Sequence, residues 1–454
     1  MGDAVNVLNY LRQHPLMFFV ICGVLIRLVL AATLTHIYDV ASWGLIIENL
    51  RAGEGLYDVD QYYYPPVWGY FLEVMCWILD VIPGMESMLL DPWQIAPVPD
   101  VSYGDNDIRM PTLIFAFVIK LPLILVDVAI SYLLYILVKD ITADERKAVV
   151  AFGAWMFITP AVMVSSVFGM FDNIAVLMLL ISIYFLRKGS YCMSGAALMI
   201  GIMTKVYPGI AVFPMIVYLL CKESDRKKKA IACTQFLGSA MIVALILLMP
   251  HILGGNLDEV FHFLIYRLNG NGAGGLSREG LRLLILMAAA VIGALFIPWF
   301  ISRRNGDATQ VMLVSTAFLL SVVIAVYYLQ QYVIQVLPLL ILLCVAYNSK
   351  ISKLLLLFAL LFLIRCLDEP TMLLPLAECT NLISVDTVVN LEHYLNVDPI
   401  GKLVLVFIRF YVDRAIHDVL LLIALVLLIQ SIPKWNDWCT EKLQIIVKKI
   451  KRAG

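Results

Sequence analysis

Long apolar runs, separated by short polar segments, dominate the chain between residues 15 and 430. Most of these runs hold about 17 to 25 residues, the length that a helix needs to cross the ~30 Å hydrocarbon core of a bilayer. Backbone groups in lipid must find hydrogen-bond partners inside the protein, which favours helices. The pattern therefore predicts an all-α polytopic membrane protein.

Candidate spans cover residues 15–35, 111–138, 148–168, 173–186, 191–220, 230–249, 281–300, 308–327, 332–347, 351–367 and roughly 407–430. Two segments allow more than one interpretation. Residues 65–82 either cross the membrane or only lie on or dip into it. Residues 191–220, which hold Pro208 near their middle, form either one tilted helix or two short helices that break at residues 205–208.

The distribution of charge couples these two ambiguities. Basic residues mark cytoplasmic loops at residues 222–229, 303–304 and 350–353 and in the tail, whereas the segments 82–110 and 368–398 are acidic and favour the external side. The basic loops fall on the cytoplasmic side and the acidic segments on the external side if residues 65–82 do not span the membrane and residues 191–220 break into two helices. This solution predicts about twelve spans with both termini cytoplasmic.

Composition agrees with this class of protein. Of the 454 residues, 62% are hydrophobic and only 15% are charged, too few charges to cover a soluble protein of this size. None of the nine cysteines forms a CxxC pair, so we expect neither a disulfide framework nor a zinc site. We treat residues 1–454 as a single membrane-embedded domain with a retained N-terminus.

The segment 36–110 follows the first span and is the main concentration of polar residues beside the membrane. Trp43, Ile46, Ile47 and Leu50 recur at helical spacing, which predicts an amphipathic helix over residues 39–51 that lies in the membrane surface. We interpret residues 36–110 as an external catalytic loop with interfacial helices. Residues 250–280 are a second external loop, and residues 432–454 a basic cytoplasmic tail.

Carboxylates at the external boundary are the first candidates for chemistry. Asp39 comes directly after the first span, where partial desolvation suits a general base that acts on a lipid-linked substrate. Asp172 lies between two spans on the same predicted face. For each residue the alternative is a helix N-cap, which aspartate also favours.

Aromatic and basic side chains add to this candidate site. Asp58, Asp60, Tyr62 and Tyr64 combine flat apolar faces with polar edges, as a sugar-binding surface requires, although an aromatic belt at the interface explains them equally well. Cations suited to a phosphate group are Arg109, Lys205, Arg267 and Arg278. Arg27 and Lys120 lie within spans and are site candidates by default, unless Lys120 pairs with Asp127.

Several short motifs follow one another in a characteristic order: Asp39, Trp43, Gly55-Leu56-Tyr57, Tyr64-Pro65-Pro66, Arg109, Leu121-Pro122, Asp127, Thr159-Pro160, Gly169-Met170-Phe171-Asp172, Lys205-Val206-Tyr207-Pro208 and Phe213-Pro214. This order resembles the GT-C superfamily of membrane glycosyltransferases, closest to dolichyl-phosphate-hexose gluco- and mannosyltransferases and their prokaryotic relatives. The likeness covers roughly residues 15–280. Met170 stands where the family more often has glutamine.

The resemblance implies transfer of mannose or glucose, with inversion, from a polyprenyl- or dolichyl-phosphate donor to an extracytoplasmic hydroxyl. The acceptor would be a lipid-linked glycan, another glycan or a protein. Asp39 maps to the family's catalytic base, and Arg267 to the donor-phosphate ligand, which Lys205 or Arg109 would assist. We expect membrane lipids as partners, and no metal, cofactor or nucleic acid.

The resemblance also favours a prokaryotic cell membrane over the endoplasmic reticulum, with the active site on the extracytoplasmic face. A transporter or lipid flippase is the main alternative function, because it would also place charges in the membrane beside external loops. The lack of an internal repeat and the clustering of polar residues on one face count against it. A non-catalytic subunit of a glycosylation complex is a third possibility.

Overall fold

The computed structural model describes residues 13–58, 62–85, 87–90, 109–261, 278–303, 306–326, 330–366, 369–380 and 382–431. Most of these residues are helical, and the regular strands among them are β1 (Leu89–Leu90) and β2 (Met110–Pro111), which pair antiparallel. The all-α fold class is confirmed for this part of the chain.

The helices of the first half are α1 (Pro15–Thr33), α2 (Ile37–Arg51), α3 (Pro66–Asp80), α4 (Leu113–Thr142), α5 (Glu145–Phe157), α6 (Thr159–Ser166), α7 (Asp172–Lys188) and α8 (Tyr191–Thr204). Then follow a 3-10 helix (Tyr207–Ala211), α9 (Val212–Lys222), α10 (Arg226–Gly254), α11 (Arg278–Ser302) and α12 (Ala308–Val326). The last part contains a 3-10 helix (Gln330–Gln335), α13 (Leu337–Ala346), α14 (Ser352–Arg365), a 3-10 helix (Pro370–Leu373), α15 (Leu374–Thr380), α16 (Val385–Val397), α17 (Pro399–Val406), a π-helix (Phe407–Val412) and α18 (Asp413–Gln430).

Two proline-containing segments show why the helices break where they do. The predicted break of residues 191–220 is confirmed, because α8 ends at Thr204 and α9 begins after the 3-10 turn that contains Pro208. Helices α5 and α6 meet at an angle of 48° beside Ile158. Pro160 lacks the N–H that would continue the α5 ladder, which accounts for the bend.

Among the described residues, five helices are long and apolar enough to cross a membrane, or six if α5 and α6 form one bent span. Several predicted spans, such as α8 and α14, are shorter helices of 14 residues. The count of about twelve spans is therefore not confirmed. Helix α3 has 15 residues and extends about 22 Å, less than the hydrocarbon thickness, which supports the interpretation that residues 65–82 do not cross upright.

The helix ends divide the polar residues into two groups. At one end of the bundle, Arg187 bonds Asp140 and Thr309, and Lys222 donates to the carbonyl of Arg187. Helix α7 ends beside this group and begins at Asp172, so Asp172 lies at the opposite end. Arg187 therefore lies at the same end of the bundle as Lys222, the first residue of the basic loop 222–229.

Buried polar contacts hold the first helices together and explain two charges within predicted spans. The guanidinium of Arg27 lies 2.8 Å from Asp127 and also donates to the Met156 carbonyl, which joins α1, α4 and α5. Lys120 donates to the Leu34 carbonyl and the Thr35 hydroxyl, and so provides a hydrogen-bond donor for polar groups at the C-terminal end of α1. The alternative pairing of Lys120 with Asp127 is wrong, because Asp127 is taken by Arg27.

Candidate active site

Asp39 lies in the first turn of α2 and is not its N-cap. The helix begins at Ile37, and His36 is the cap residue, so the predicted start at Asp39 and the N-cap alternative are wrong. One Asp39 carboxylate oxygen forms an ion pair of 2.9 Å with Nδ1 of His36, and the side chain is 25% exposed. The carboxylate is therefore held by a neighbour but still accessible.

His36 joins Asp39 to a second carboxylate. Its Nε2 lies 3.2 Å from Glu369, which precedes the 3-10 helix Pro370–Leu373. Burial by itself lowers the pKa of His36, but Asp39 and Glu369 outweigh burial and raise that pKa to about 10. Conversely, His36 and Arg365 overcome the effect of burial on Glu369 and lower the pKa of its carboxyl group. A charged histidine thus lies between two carboxylates at the entrance to α2.

A second ion pair, which is buried, lies at the break between α8 and α9. The Lys205 ammonium is 2.5 Å from the Asp172 carboxylate at the start of α7. The Gln335 amide donates to the other carboxylate oxygen of Asp172. Asp172 caps nothing with its side chain, so the N-cap alternative is wrong here too. The carboxylate instead orients Lys205, and it lies close enough to Asp39 for the two carboxylates to repel each other.

Aromatic rings fill the space between these two charged groups. The Lys205 ammonium lies 5.3 Å from the ring centre of Tyr64 and 4.8 Å from that of Tyr332. Tyr64 in turn contacts Trp43, one helical turn after Asp39 on α2, with ring centres 5.8 Å apart. The Trp43 indole donates to the Gly169 carbonyl at 3.0 Å. These contacts connect the helix that carries Asp39 with the helix break that carries Lys205.

Helix α2 packs its apolar face against protein. Trp43, Ile46 and Ile47 are buried among α3, α4 and neighbouring segments, so the predicted burial of this face in the membrane surface is wrong. The helix ends at Arg51, and Gly53 beyond it has a φ of +88°, a conformation that glycine adopts without strain at a helix end.

A cavity of about 360 Å³ borders Lys205. Its polar part is formed by Lys205 and the tyrosines 63, 64, 207 and 332, and most of its remaining wall is apolar. Helix α11 contributes Met287 and Val291, whose side chains are about half exposed on the outer surface. The cavity therefore extends from a buried cation to the apolar exterior of the bundle.

Other predicted site residues have structural contacts or lie outside the described residues. Of these, Tyr62 contacts Tyr64, with ring centres 6.0 Å apart. Asp58 accepts from the Gly55 amide in an exposed turn. The Tyr62 hydroxyl is buried and donates to the Pro65 carbonyl. Arg109 forms an ion pair with Glu48 on α2. Roles for these three in substrate binding stay predictions, as do those of Asp60 and Arg267, which lie outside the described residues together with most of the predicted loop 250–280.

Sequence reasoning missed four residues around the site, namely His36, Glu369, Gln335 and Tyr332. His36 precedes Asp39 by three residues, a spacing that brings side chains together on a helix and that was available as a signal. Glu369 was noted only as part of an acidic loop. No local pattern indicates that Gln335 meets Asp172 or that Tyr332 meets Lys205, because these contacts bridge more than 120 residues of sequence.

Within the described residues, no group of three or more histidine, cysteine, aspartate or glutamate side chains has the geometry to hold a metal ion. His36, Asp39 and Glu369 form a linear chain and do not converge on a common point.

Comparison with known proteins links part of the chain to a class of enzymes. Residues 104–249, about a third of the chain, match the family model described as DolP-mannose mannosyltransferase. Over these residues the match confirms the resemblance to glycosyltransferases that use polyprenyl-phosphate sugars. The matched range contains Arg109, Asp172 and Lys205, whereas Asp39 precedes it. A search of curated proteins finds no match for the chain.

Proposed function

We propose that this protein is an integral membrane mannosyltransferase that uses a dolichyl- or polyprenyl-phosphate mannose donor. It transfers the sugar, with inversion, to a hydroxyl of an extracytoplasmic acceptor, and Asp39 is the general base. The family match favours mannose over glucose. The site lies on the extracytoplasmic face, which relieves the protein of any need for nucleotide sugars.

The cavity beside Lys205 is the observation that carries this proposal. A polyprenyl-phosphate donor joins a long apolar chain to a charged group, and the cavity joins an apolar wall that reaches the outer surface to a buried ammonium. The ammonium has three N–H donors, and its contact with Asp172 uses one of them. Lys205 is thus placed to hold a donor phosphate while the lipid follows α11 towards the bilayer.

The position of Asp39 suits a base that acts on the side of the sugar opposite the donor phosphate. Helix α2 connects it, through Trp43 and Tyr64, to Lys205. The acceptor hydroxyl would lose its proton to Asp39 as its oxygen attacks C1 of the sugar, and the C1–O bond to the phosphate would break. Lys205 would then stabilise the charge that develops on the leaving phosphate.

The test is transfer of radiolabelled mannose from dolichyl-phosphate mannose in membranes that contain the protein. Asp39→Asn removes the base with little change in size, so the variant should insert normally and lose transfer by at least about a hundredfold. Glu54→Gln is the matched control, because it neutralises an exposed carboxylate just after α2 and should leave transfer unchanged. Full transfer by Asp39→Asn would refute the assignment of the base. Translocation of lipid or sugar without transfer would support the transporter.

A further inference from the structure

A histidine lies between the proposed base and a carboxylate from a distant part of the chain. Nδ1 of His36 is 2.9 Å from Asp39, and its Nε2 is 3.2 Å from Glu369. The imidazole side chain is 21% exposed, whereas the carboxylate of Asp39 is 25% exposed. The mechanism described above uses Asp39 alone and assigns nothing to the other two residues.

Backbone contacts hold His36 in this place. Its N–H donates to the Val167 carbonyl at 3.0 Å, and the preceding amide, that of Thr35, donates to the Met372 carbonyl at 2.9 Å. The ring of Phe168 packs edge-on against the imidazole, with centres 5.4 Å apart. Three segments of the chain therefore converge on His36, more than the start of an ordinary helix requires.

Glu369 is itself anchored. Arg365 approaches it at 4.0 Å from the last turn of α14 and forms a second ion pair of 2.8 Å with Asp413 on α18. The charged or titratable groups that act on His36 and Glu369 are Asp39 on α2 and Arg365 and Arg409 from the far side. Tyr38 and Glu392 lie next to this group. The imidazole is thus fixed from both sides.

We propose that His36 and Glu369 are positioning residues for the transfer reaction. His36 holds one oxygen of the Asp39 carboxylate in the ion pair of 2.9 Å and leaves the other oxygen for the acceptor hydroxyl. Glu369 holds the imidazole in the orientation that this contact needs. A general base must lie within about 2.6–3.2 Å of the proton that it removes, so free rotation of a short aspartate side chain would lower the rate. This inference rests on the proposed function, in which Asp39 is the base.

Amide substitutions separate the two contacts of the histidine. The asparagine amide nitrogen is as many bonds from Cα as Nδ1 is, so His36→Asn keeps a donor for Asp39 and loses the contact with Glu369. Glutamine is one methylene longer and reaches towards the position of Nε2, so His36→Gln loses the contact with Asp39. We expect kcat to fall about threefold in His36→Asn and at least about tenfold in His36→Gln and His36→Ala.

Glu369→Gln should lower kcat about threefold in the wild-type background and have no effect in the His36→Ala background, because it acts through His36. The KM for the dolichyl-phosphate mannose donor should stay within about twofold in all these variants, because the donor occupies the separate cavity at Lys205. Arg51→Gln is the control, since it breaks an ion pair of 2.7 Å with Asp80 at the far end of the same helix and should keep the wild-type kcat.

A role limited to joining α2 to the segment 369–373 predicts another pattern. The variants would then lower thermal stability equally and leave kcat unchanged in the folded fraction, which would overturn the inference. Independent, multiplicative effects of His36→Ala and Glu369→Gln on kcat would also overturn it. If Asp39→Asn is inactive while the His36 variants keep kcat, only this inference fails. If Asp39→Asn is active, the proposed function fails first.

Discussion

Removal of the ammonium of Lys205 should destabilise the protein more than removal of the carboxylate that it contacts. Lys205→Met keeps the length and apolar character of the lysine stem but leaves the Asp172 carboxylate, which is fully buried, without its cation. Truncation of one partner of a buried ion pair costs about 3–5 kcal/mol. The Gln335 amide donates to Asp172 with or without Lys205, so it does not replace the lost cation.

The reverse variant, Asp172→Asn, leaves a cation with other partners. The rings of Tyr64, Phe171 and Tyr332 lie 4.8–5.3 Å from the ammonium, and each contact contributes about 0.5–2 kcal/mol. Lys205 also borders the cavity, where water can hydrate the ammonium. Asp172→Asn should therefore cost about 1–3 kcal/mol, less than Lys205→Met.

Thermal unfolding of the detergent-solubilised variants, followed by tryptophan fluorescence, measures which of the two variants is the less stable. The double variant Lys205→Met/Asp172→Asn should be more stable than Lys205→Met alone, because it leaves no unpaired buried charge. Both variants with methionine at position 205 should lose transfer, because the proposed phosphate ligand is gone. Equal losses of stability for the two single variants would refute the reasoning from buried charge. Wild-type transfer by the double variant would refute the role of Lys205 at the phosphate.

Two further predictions concern the surroundings of α2. A Cβ added at Gly169, where φ is +63°, would lie 2.9 Å from Val40 on α2, whereas one added at Gly189, where φ is +80°, would meet nothing within 4 Å. Gly169→Ala should therefore lower the rate of transfer at least about tenfold. Gly189→Ala should cost about 1 kcal/mol of stability without loss of transfer in the folded fraction. Equal transfer rates in the two variants would contradict this prediction. Because the pKa of His36 is raised from 6.5 to about 10, its contribution to stability is complete below pH 6.5 and is lost as the pH rises towards 10. Thermal unfolding of the wild type and His36→Asn between pH 6 and 10 should converge as the pH rises, and a constant difference would contradict this linkage.

The course of the chain through the apolar bundle was largely predictable because helix formation in such runs depends on local sequence. The boundaries of α1 and α4 follow the predicted spans 15–35 and 111–138 closely. The break after Thr204 was predictable because Pro208 cannot continue a helix ladder. Helix α2 shows the limit of this reasoning, because its apolar face fits either a membrane surface or a protein core, and only packing distinguishes them.

The sequence by itself determined that polar residues gather where helices end, and it singled out Asp39, Asp172 and Lys205. Only the tertiary structure decided the partners of these charges. Asp172 and Lys205 meet because α7 begins where α8 breaks, and His36 meets Glu369 because the end of α1 lies beside the segment after α14. Ion pairs form over a few ångströms, while these residues are separated by 33 and 333 positions along the chain. Such pairing depends on which helix ends come together, and hydrophobic periodicity carries no information about that.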